Sequence, residues 1–212
     1  MDSASAEANR EHRKAEQVQS ARVGILVAAA RVFLRDGYQK ATMRGIAKEA
    51  GYTASSLYTY FRSKQDLFGA LEEGLKERSR ATYSEPMPSG LNFPQRLELL
   101  GMRLATMAEQ MRDVLLLMMV SGMHTPDESL EEQLKGKAEF VCGLGEWFAE
   151  NARPEDLNGH DPEEVARIFL SLSEAYFKRD IQRGTFSGEA VKTSTRNAAN
   201  YTLRILETPP LE

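Results

Sequence analysis

Between Thr42 and Phe61 the chain sets out, in order, a hydroxyl, a guanidinium, a small residue, a glycine, a second hydroxyl and an apolar anchor. Ala47, Gly51 and Leu57 stand four and six residues apart. Two helices that cross closely need a small residue at the crossing, a glycine where the chain turns sharply and an apolar side chain to seat the second helix. Thr42 and Thr53 supply N-cap hydroxyls in register with both helices, and the free N–H groups of a helix start suit phosphate oxygens. Arg44, near the start of the first helix, carries a fork that fits guanine O6 and N7. Ala54, Ser55 and Ser56 form the leading face of the second helix. Their small side chains offer few direct base contacts, so DNA shape must contribute to recognition. The chemistry is that of a short helix entering a major groove about 12 Å wide.

No comparable constellation serves catalysis. His12, His124 and His160 fall in a tail and two loops, with no second ligand at metal spacing. Cys142 is a lone cysteine placed mid-helix, where it reads as a small apolar filler; it excludes a disulfide framework and suits a reducing compartment. Acid pairs such as Asp127-Glu128 and Glu131-Glu132 fall at helix starts, where they stabilise the dipole. No glycine-rich phosphate loop follows a strand. The expectation is a protein that is not an enzyme and holds neither metal nor cofactor.

The elements that must position these residues read as helix almost throughout. From Lys14 to Asp36 the residues Val18, Ala21, Ile25, Ala28, Val32 and Phe33 recur at helical spacing, and Gly37 ends the helix. A short helix follows Thr42 and ends at Gly51, a third of one to two turns follows Thr53, and Ser63 caps a fourth that runs to about Tyr83. Glu85 to Pro94 is loop. Further helices are expected over Pro94–Gln110, Met111–Met123 and Asp127–Asn151, with a break at Thr125 and Pro126 and another loop from Arg153 to His160. Asp161-Pro162-Glu163-Glu164 is a strong helix start, leading to about Arg183 before Gly184. A last helix runs from Gly188 to about Glu207. The fold class is all-α, with about nine helices. Residues 1–13 read as a disordered tail, 14–66 as a helix-turn-helix domain and 67–212 as a second helical domain, the helix from about 64 to 83 connecting them.

The chain has 212 residues, 42% of them hydrophobic, and a net charge of −4. A mildly acidic average disfavours nucleic acid, but the charge is unevenly placed. Residues 10–66 carry eleven basic and five acidic side chains, a net +6, whereas residues 67–212 carry a net −8. Opposite signs in two halves suggest a basic module for an anionic polymer and an acidic one for another task. Arg10, Arg13 and Lys14 are either an arm on the DNA backbone or a solvated tail. The longest unbroken apolar run, Val114 to Val120, is far short of the roughly 20 residues of a membrane span. No basic leader precedes an apolar stretch, so a cytoplasmic protein without membrane association is expected.

The run Arg22 to Leu67, RVGILVAAARVFLRDGYQKATMRGIAKEAGYTASSLYTYFRSKQDL, resembles the N-terminal domain of TetR-type transcriptional regulators. The matching pieces are ILVAAARVF, the DGY turn, the T-M-R helix start, IAKEAG, and LYTYF followed by S-K. Ser55 departs from the glycine common at its position. The resemblance implies that Tyr60 and Lys64 clamp phosphates, Lys64 as an exposed point charge. It places Tyr58 at the DNA surface, on a phosphate or a thymine methyl; packing between helices is the other reading of Tyr58. It also implies a palindromic double-stranded operator and a homodimer formed through the last two long helices, on which Phe169, Leu172, Tyr176, Leu203 and Leu206 lie. Two recognition helices about 34–36 Å apart then match the two half-sites.

Six of the nine methionines, Met102, Met107, Met111, Met118, Met119 and Met123, lie within 22 residues. Flexible thioethers line adaptable apolar pockets, although ordinary helical core is the other reading. With Phe140, Trp147, Phe148, Phe169 and Tyr176 they would enclose an effector whose identity the residues do not disclose. The pocket expected from these residues comprises Met102, Met107, Met118, Met119, Phe140, Trp147, Phe169 and Tyr176. The function expected is a repressor released from its operator by a small, largely apolar effector. The alternative is an all-α ligand-carrying or interaction module that keeps the fold without sequence-specific DNA binding.

Overall fold

The computed structural model describes residues 3–120 and 130–210. Among them are ten helices and no strand: α1 (Ser3–Asp36), α2 (Met43–Ala50), α3 (Ala54–Tyr58), α4 (Lys64–Tyr83), α5 (Phe93–Gln110), α6 (Arg112–Val120), α7 (Leu130–Asn151), α8 (Pro154–Leu157), α9 (Pro162–Gln182) and α10 (Gly188–Leu206). The chain divides into two compact units, Met1–Glu73 with Leu116–Thr125, and Gly74–Leu115 with Pro126–Glu212.

In the first unit, the apolar stripe of α1 buries Ile25, Ala28, Ala29, Val32 and Phe33. The buried side chains Ile46, Ala47, Leu57, Phe61, Leu67 and Phe68 come from the elements that follow. Phe33, Tyr38 and Phe68 meet as an aromatic trio with centroids 5.3–6.0 Å apart. Part of α1, Asn9–Asp36, is long and apolar enough to cross a membrane by length and composition, with a window of mean hydropathy 1.2. Its Ile25, Ala28, Ala29, Ala30, Val32 and Phe33 instead belong to the core of this unit, whereas Val18, Val23 and Val27 are exposed. Gly51 ends α2 at φ 76°, a conformation that side-chain-bearing residues adopt only at a cost, and Tyr52 N–H returns to Ala47 O at 2.8 Å.

The second unit is built on α5, α7, α9 and α10, with Phe93, Leu97, Leu100, Leu144, Trp147, Phe148, Val165 and Phe169 in one apolar cluster. Close helix contact needs missing side chains: a Cβ on Gly145 of α7 would stand 3.0 Å from Glu163 Cα of α9. The α9–α10 pair is also joined by a buried polar cluster. Asp180, 4% exposed, accepts from Ser194 Oγ at 2.7 Å through one carboxylate oxygen and from Arg179 at 2.8 Å through the other. Both oxygens thus have donors, as burial of a carboxylate requires.

The differences from the sequence reading have local causes. Helix α1 starts at Ser3 instead of near Lys14, because the Ala-, Glu-, Arg- and Lys-rich segment has high helix propensity. The loop expected over 153–160 contains α8, which shares with α9 a proline at its first position and acids in its first turn but has no N-cap side-chain bond. Pro154 sits at the first position, Asp156 Oδ2 accepts from Arg153 N–H at 2.9 Å and Leu157 is buried beneath. Cys142 is exposed, so it fills no core space. The expected helices Met111–Met123 and Asp127–Asn151 correspond to α6 and α7; Met123, His124, Thr125, Pro126, Asp127 and Glu128 lie outside the described residues.

Candidate nucleic-acid interface

The two caps form as their residue types require. Thr42, in extended backbone, accepts from Gly45 N–H at 3.0 Å. A Cβ on Gly45 would stand 3.2 Å from Thr42 Oγ1, so glycine there lets the cap close without displacing the hydroxyl. Thr53 accepts from Ser56 N–H at 3.1 Å, and its hydroxyl also lies 2.9 Å from Ser56 Oγ. The Ser56 side chain is therefore engaged in the cap. Leu57, with no exposed surface, anchors α3. What α3 offers outward is Ser55 and Tyr58, with Ala54 half-buried. Tyr58 is 54% exposed, which removes the reading of it as a ring packed between helices. Arg44 is also exposed, one residue inside the capped start of α2.

Tyr60 is half-buried, edge-on to Tyr52 with centroids 6.0 Å apart. Lys64 departs from expectation. It is half-buried; its Nζ donates to Tyr38 O at 2.8 Å and Gln39 O at 3.3 Å, and stands 4.8 Å from the centre of the Tyr38 ring. Carbonyls left over at the turn after α1 and the negative face of an aromatic ring both attract a cation, so this ammonium first secures the DGY turn.

Two structural cations escaped the sequence reading. Arg22 donates to Tyr60 O at 2.8 Å and lies 4.2 Å from the centre of the Phe61 ring, which fixes the turn leaving α3. Arg35 donates to Asp36 and, at 3.0 Å, to Glu49 of α2. The hydrogen bond from Arg35 holds the Asp36 carboxyl below the usual carboxylate range, although both groups are open to solvent. Such long-range partners have no periodic signature in sequence.

The residues expected to line an effector pocket fall in both units, and each is described within its own. Trp147 and Phe169 are buried in the core of the second unit, and Phe140 and Tyr176 are half-buried against it. Met107 is buried, whereas Met102 is 48% exposed and is not core. Met118 and Met119 belong to the first unit and so cannot be assigned to the core of the second. An open groove of about 260 Å³ in the second unit is lined by Arg78, Thr82, Leu99, Met102, Arg103 and Met107, among others. Within the core, Trp147 Nε1 is buried and lacks a hydrogen-bond acceptor. Phe169 and Leu206 are buried within the chain, so they are not available to a partner subunit as expected. Tyr201 and Ile205, 48% and 38% exposed, are the outward apolar groups of α10.

Residues 25–71 match the family profile described as bacterial regulatory proteins, tetR family. The HTH-type transcriptional regulator UidR of Escherichia coli K12 is 30% identical over 162 residues, covering 74% of this chain and 80% of that protein. The HTH-type transcriptional repressor KstR2 of Mycobacterium tuberculosis H37Rv is 37% identical over 86 residues, 41% of this chain and 43% of that protein. Among solved structures, Salmonella enterica GusR superposes with a TM-score of 0.65 at 22% identity, covering 88% of this chain and 93% of that one.

Proposed function

Because the chain belongs to the TetR family of bacterial transcriptional regulators, we propose that it is a homodimeric, cytoplasmic repressor that leaves a palindromic operator when a small, largely apolar effector binds its second unit. The observation that carries the DNA side is the capped pair α2–α3, with Leu57 buried while Arg44, Ser55 and Tyr58 face outward. Arg44 reads a guanine, Tyr58 meets a phosphate or thymine methyl, and the start of α2 with Thr42 receives a phosphate. Thr53 and Ser56 hold α3 in shape, Ala54 and Ser55 approach the groove, and Tyr60 and Lys64 flank it. Lys64 combines two roles: it holds the turn at Tyr38 and adds positive charge beside the backbone of the operator.

Dimerisation through α9 and α10 is supported by an aromatic–arginine group whose α10 members, Tyr201 and Arg204, are exposed. The Tyr176 and Tyr201 rings are 6.5 Å apart, with Arg179 and Arg204 standing 4.9 and 5.6 Å from their respective ring centres. Aromatic and arginine side chains dominate the energetics of many interfaces. On the effector side, an unpaired buried donor costs about 1–3 kcal/mol. An apolar ligand carrying one acceptor oxygen for Trp147 Nε1 would remove that cost. Release needs the effector to favour the non-operator conformation by about 100-fold.

Titration of a cognate duplex at several salt concentrations tests the DNA reading. Affinity should fall steeply as salt rises, reflecting roughly 6–10 phosphate contacts per dimer, and a flat response would refute it. Arg44→Ala should lose about 1–3 kcal/mol at one base position only, seen as relaxed preference there across a set of single-base operator variants. Lys64→Ala should weaken every duplex by a similar factor, both by loss of charge and by loosening the turn. Identical patterns for the two variants would refute the division of roles. Sedimentation as a monomer at micromolar concentration would exclude the half-site geometry.

A further inference from the structure

We propose that the part of α1 ahead of the helix-turn-helix is a second DNA contact, lying through Arg10, Arg13, Lys14 and Gln17 along the phosphate backbone that flanks each half-site. The proposal rests on the reading of the chain as a DNA-binding regulator and extends its contact surface. Helix α1 is 34 residues long, yet from Asn9 onward burial begins only near Ala21 and Arg22. Every side chain from Asn9 to Ser20 is exposed, so this stretch does not fold back onto a core. A helix of this length without tertiary support is marginal in water, and it gains from a surface to lie on.

The arrangement of charge selects that surface. Arg10, Arg13, Lys14 and Gln17 stand at i, i+3, i+4 and i+7, which brings them onto one helix face. Arg13 Nε donates to Asn9 O at 3.1 Å, one turn back along the same helix. The opposite face carries His12 and Glu16, paired at 3.2 Å, and Glu11 stands at the margin of the basic stripe. Three cations and an amide with no apolar member suit a row of phosphates better than an apolar partner. A second copy presenting the same stripe would meet it with like charge.

Position makes the surface continuous with the recognition helix. The Arg22 guanidinium bonds Tyr60 O at 2.8 Å, so α1 passes the turn leaving α3 at that residue. From Arg22 back to Arg10 the helix rises about 18 Å at ~1.5 Å per residue. That is about half a turn of B-DNA, so the stripe reaches roughly five base pairs beyond the contact made by α3.

The test uses the full chain and the triple variant R10A/R13A/K14A, in which alanine preserves helix propensity. The probes are duplexes that the wild-type chain recovers from a random-sequence pool, prepared with about ten flanking base pairs or trimmed to the half-sites. On the flanked duplex the variant is expected to bind more weakly by about 1,000-fold or more near 0.1 M salt. Its salt slope should fall by about 3–5, because up to about six phosphates per dimer are no longer neutralised, and its footprint should shorten by roughly five base pairs at each end. On the trimmed duplex it should bind within about twofold of wild type. The exchange variant R10K/R13K/K14R should restore the flanked-duplex affinity, since point charges suffice for phosphates. An unchanged affinity and slope on the flanked duplex would overturn the proposal. So would an equal loss on both duplexes, which indicates an effect on the helix-turn-helix, or altered sedimentation with DNA affinity intact, which assigns the stripe to a second copy. Failure of the wild-type chain to recover any sequence refutes the DNA-binding reading itself.

Discussion

Leu57→Ala is expected to destabilise the first unit by about 2–5 kcal/mol and to remove most operator affinity with it. The side chain has no exposed surface, and α3 has only five residues. A helix so short has no stability of its own. Its other members are exposed or half-buried, so the Leu57 side chain and the Thr53 cap hold it in place. The backbone at this residue is equally committed: Leu57 O accepts from the N–H groups of Tyr60 and Phe61, each at 3.0 Å. Truncation leaves a cavity beneath the recognition helix, whose orientation then varies while the outward groups remain chemically intact. Denaturant unfolding followed by circular dichroism, with operator titration in parallel, checks both effects. A loss below about 1 kcal/mol with full affinity would show that the caps and turn suffice without the anchor.

Phe148→Ala is expected to cost the second unit about 3–5 kcal/mol. Phe148 is fully buried and makes ring contacts with Trp147 at 5.2 Å and with Phe93 and Phe169 at 6.2 Å each, joining α5, α7 and α9. Aromatic pairs add to the loss beyond the area they bury. The chain has a single tryptophan, Trp147, which is 3% exposed and adjacent to the cavity the substitution would create. Its emission therefore reports both the unfolding midpoint and any wetting of the core in the folded protein. A change under about 1.5 kcal/mol with unaltered emission would mean that neighbouring helices close over the gap, contrary to a cluster fixed by close helix approach at Gly145.

Much of the DNA-reading head was legible because its signals are local. A cap, a left-handed glycine and an apolar anchor each act within a few residues, and Thr42, Gly51, Thr53 and Leu57 all serve as their types and spacing implied. Local logic also explains the miss at α8, since Pro154 with Glu155 and Asp156 repeats the proline and acids at Pro162 without the N-cap that Asp161 supplies there. Residues 1–13 read as a disordered tail, whereas helix propensity extends α1 to Ser3.

The sequence by itself determined that the chain is helical, that residues 10–66 carry a net positive charge and residues 67–212 a net negative one, and that a helix-turn-helix lies between Thr42 and Phe61. Periodicity, capping and charge count are properties of neighbours along the chain, so they survive without coordinates. Only the tertiary structure decided that Lys64 is held by the carbonyls of Tyr38 and Gln39, that Arg22 ties α1 to the turn after α3, and that Met102 is half exposed while Met107 is buried. A methionine at helical spacing has the same pattern whether its helix turns it toward a core or toward solvent. A cation finds a carbonyl 26 or 38 residues away only because the fold brings the two together. Distance in space, which no spacing rule encodes, separated the lysine that was expected to be free from the one that secures a turn.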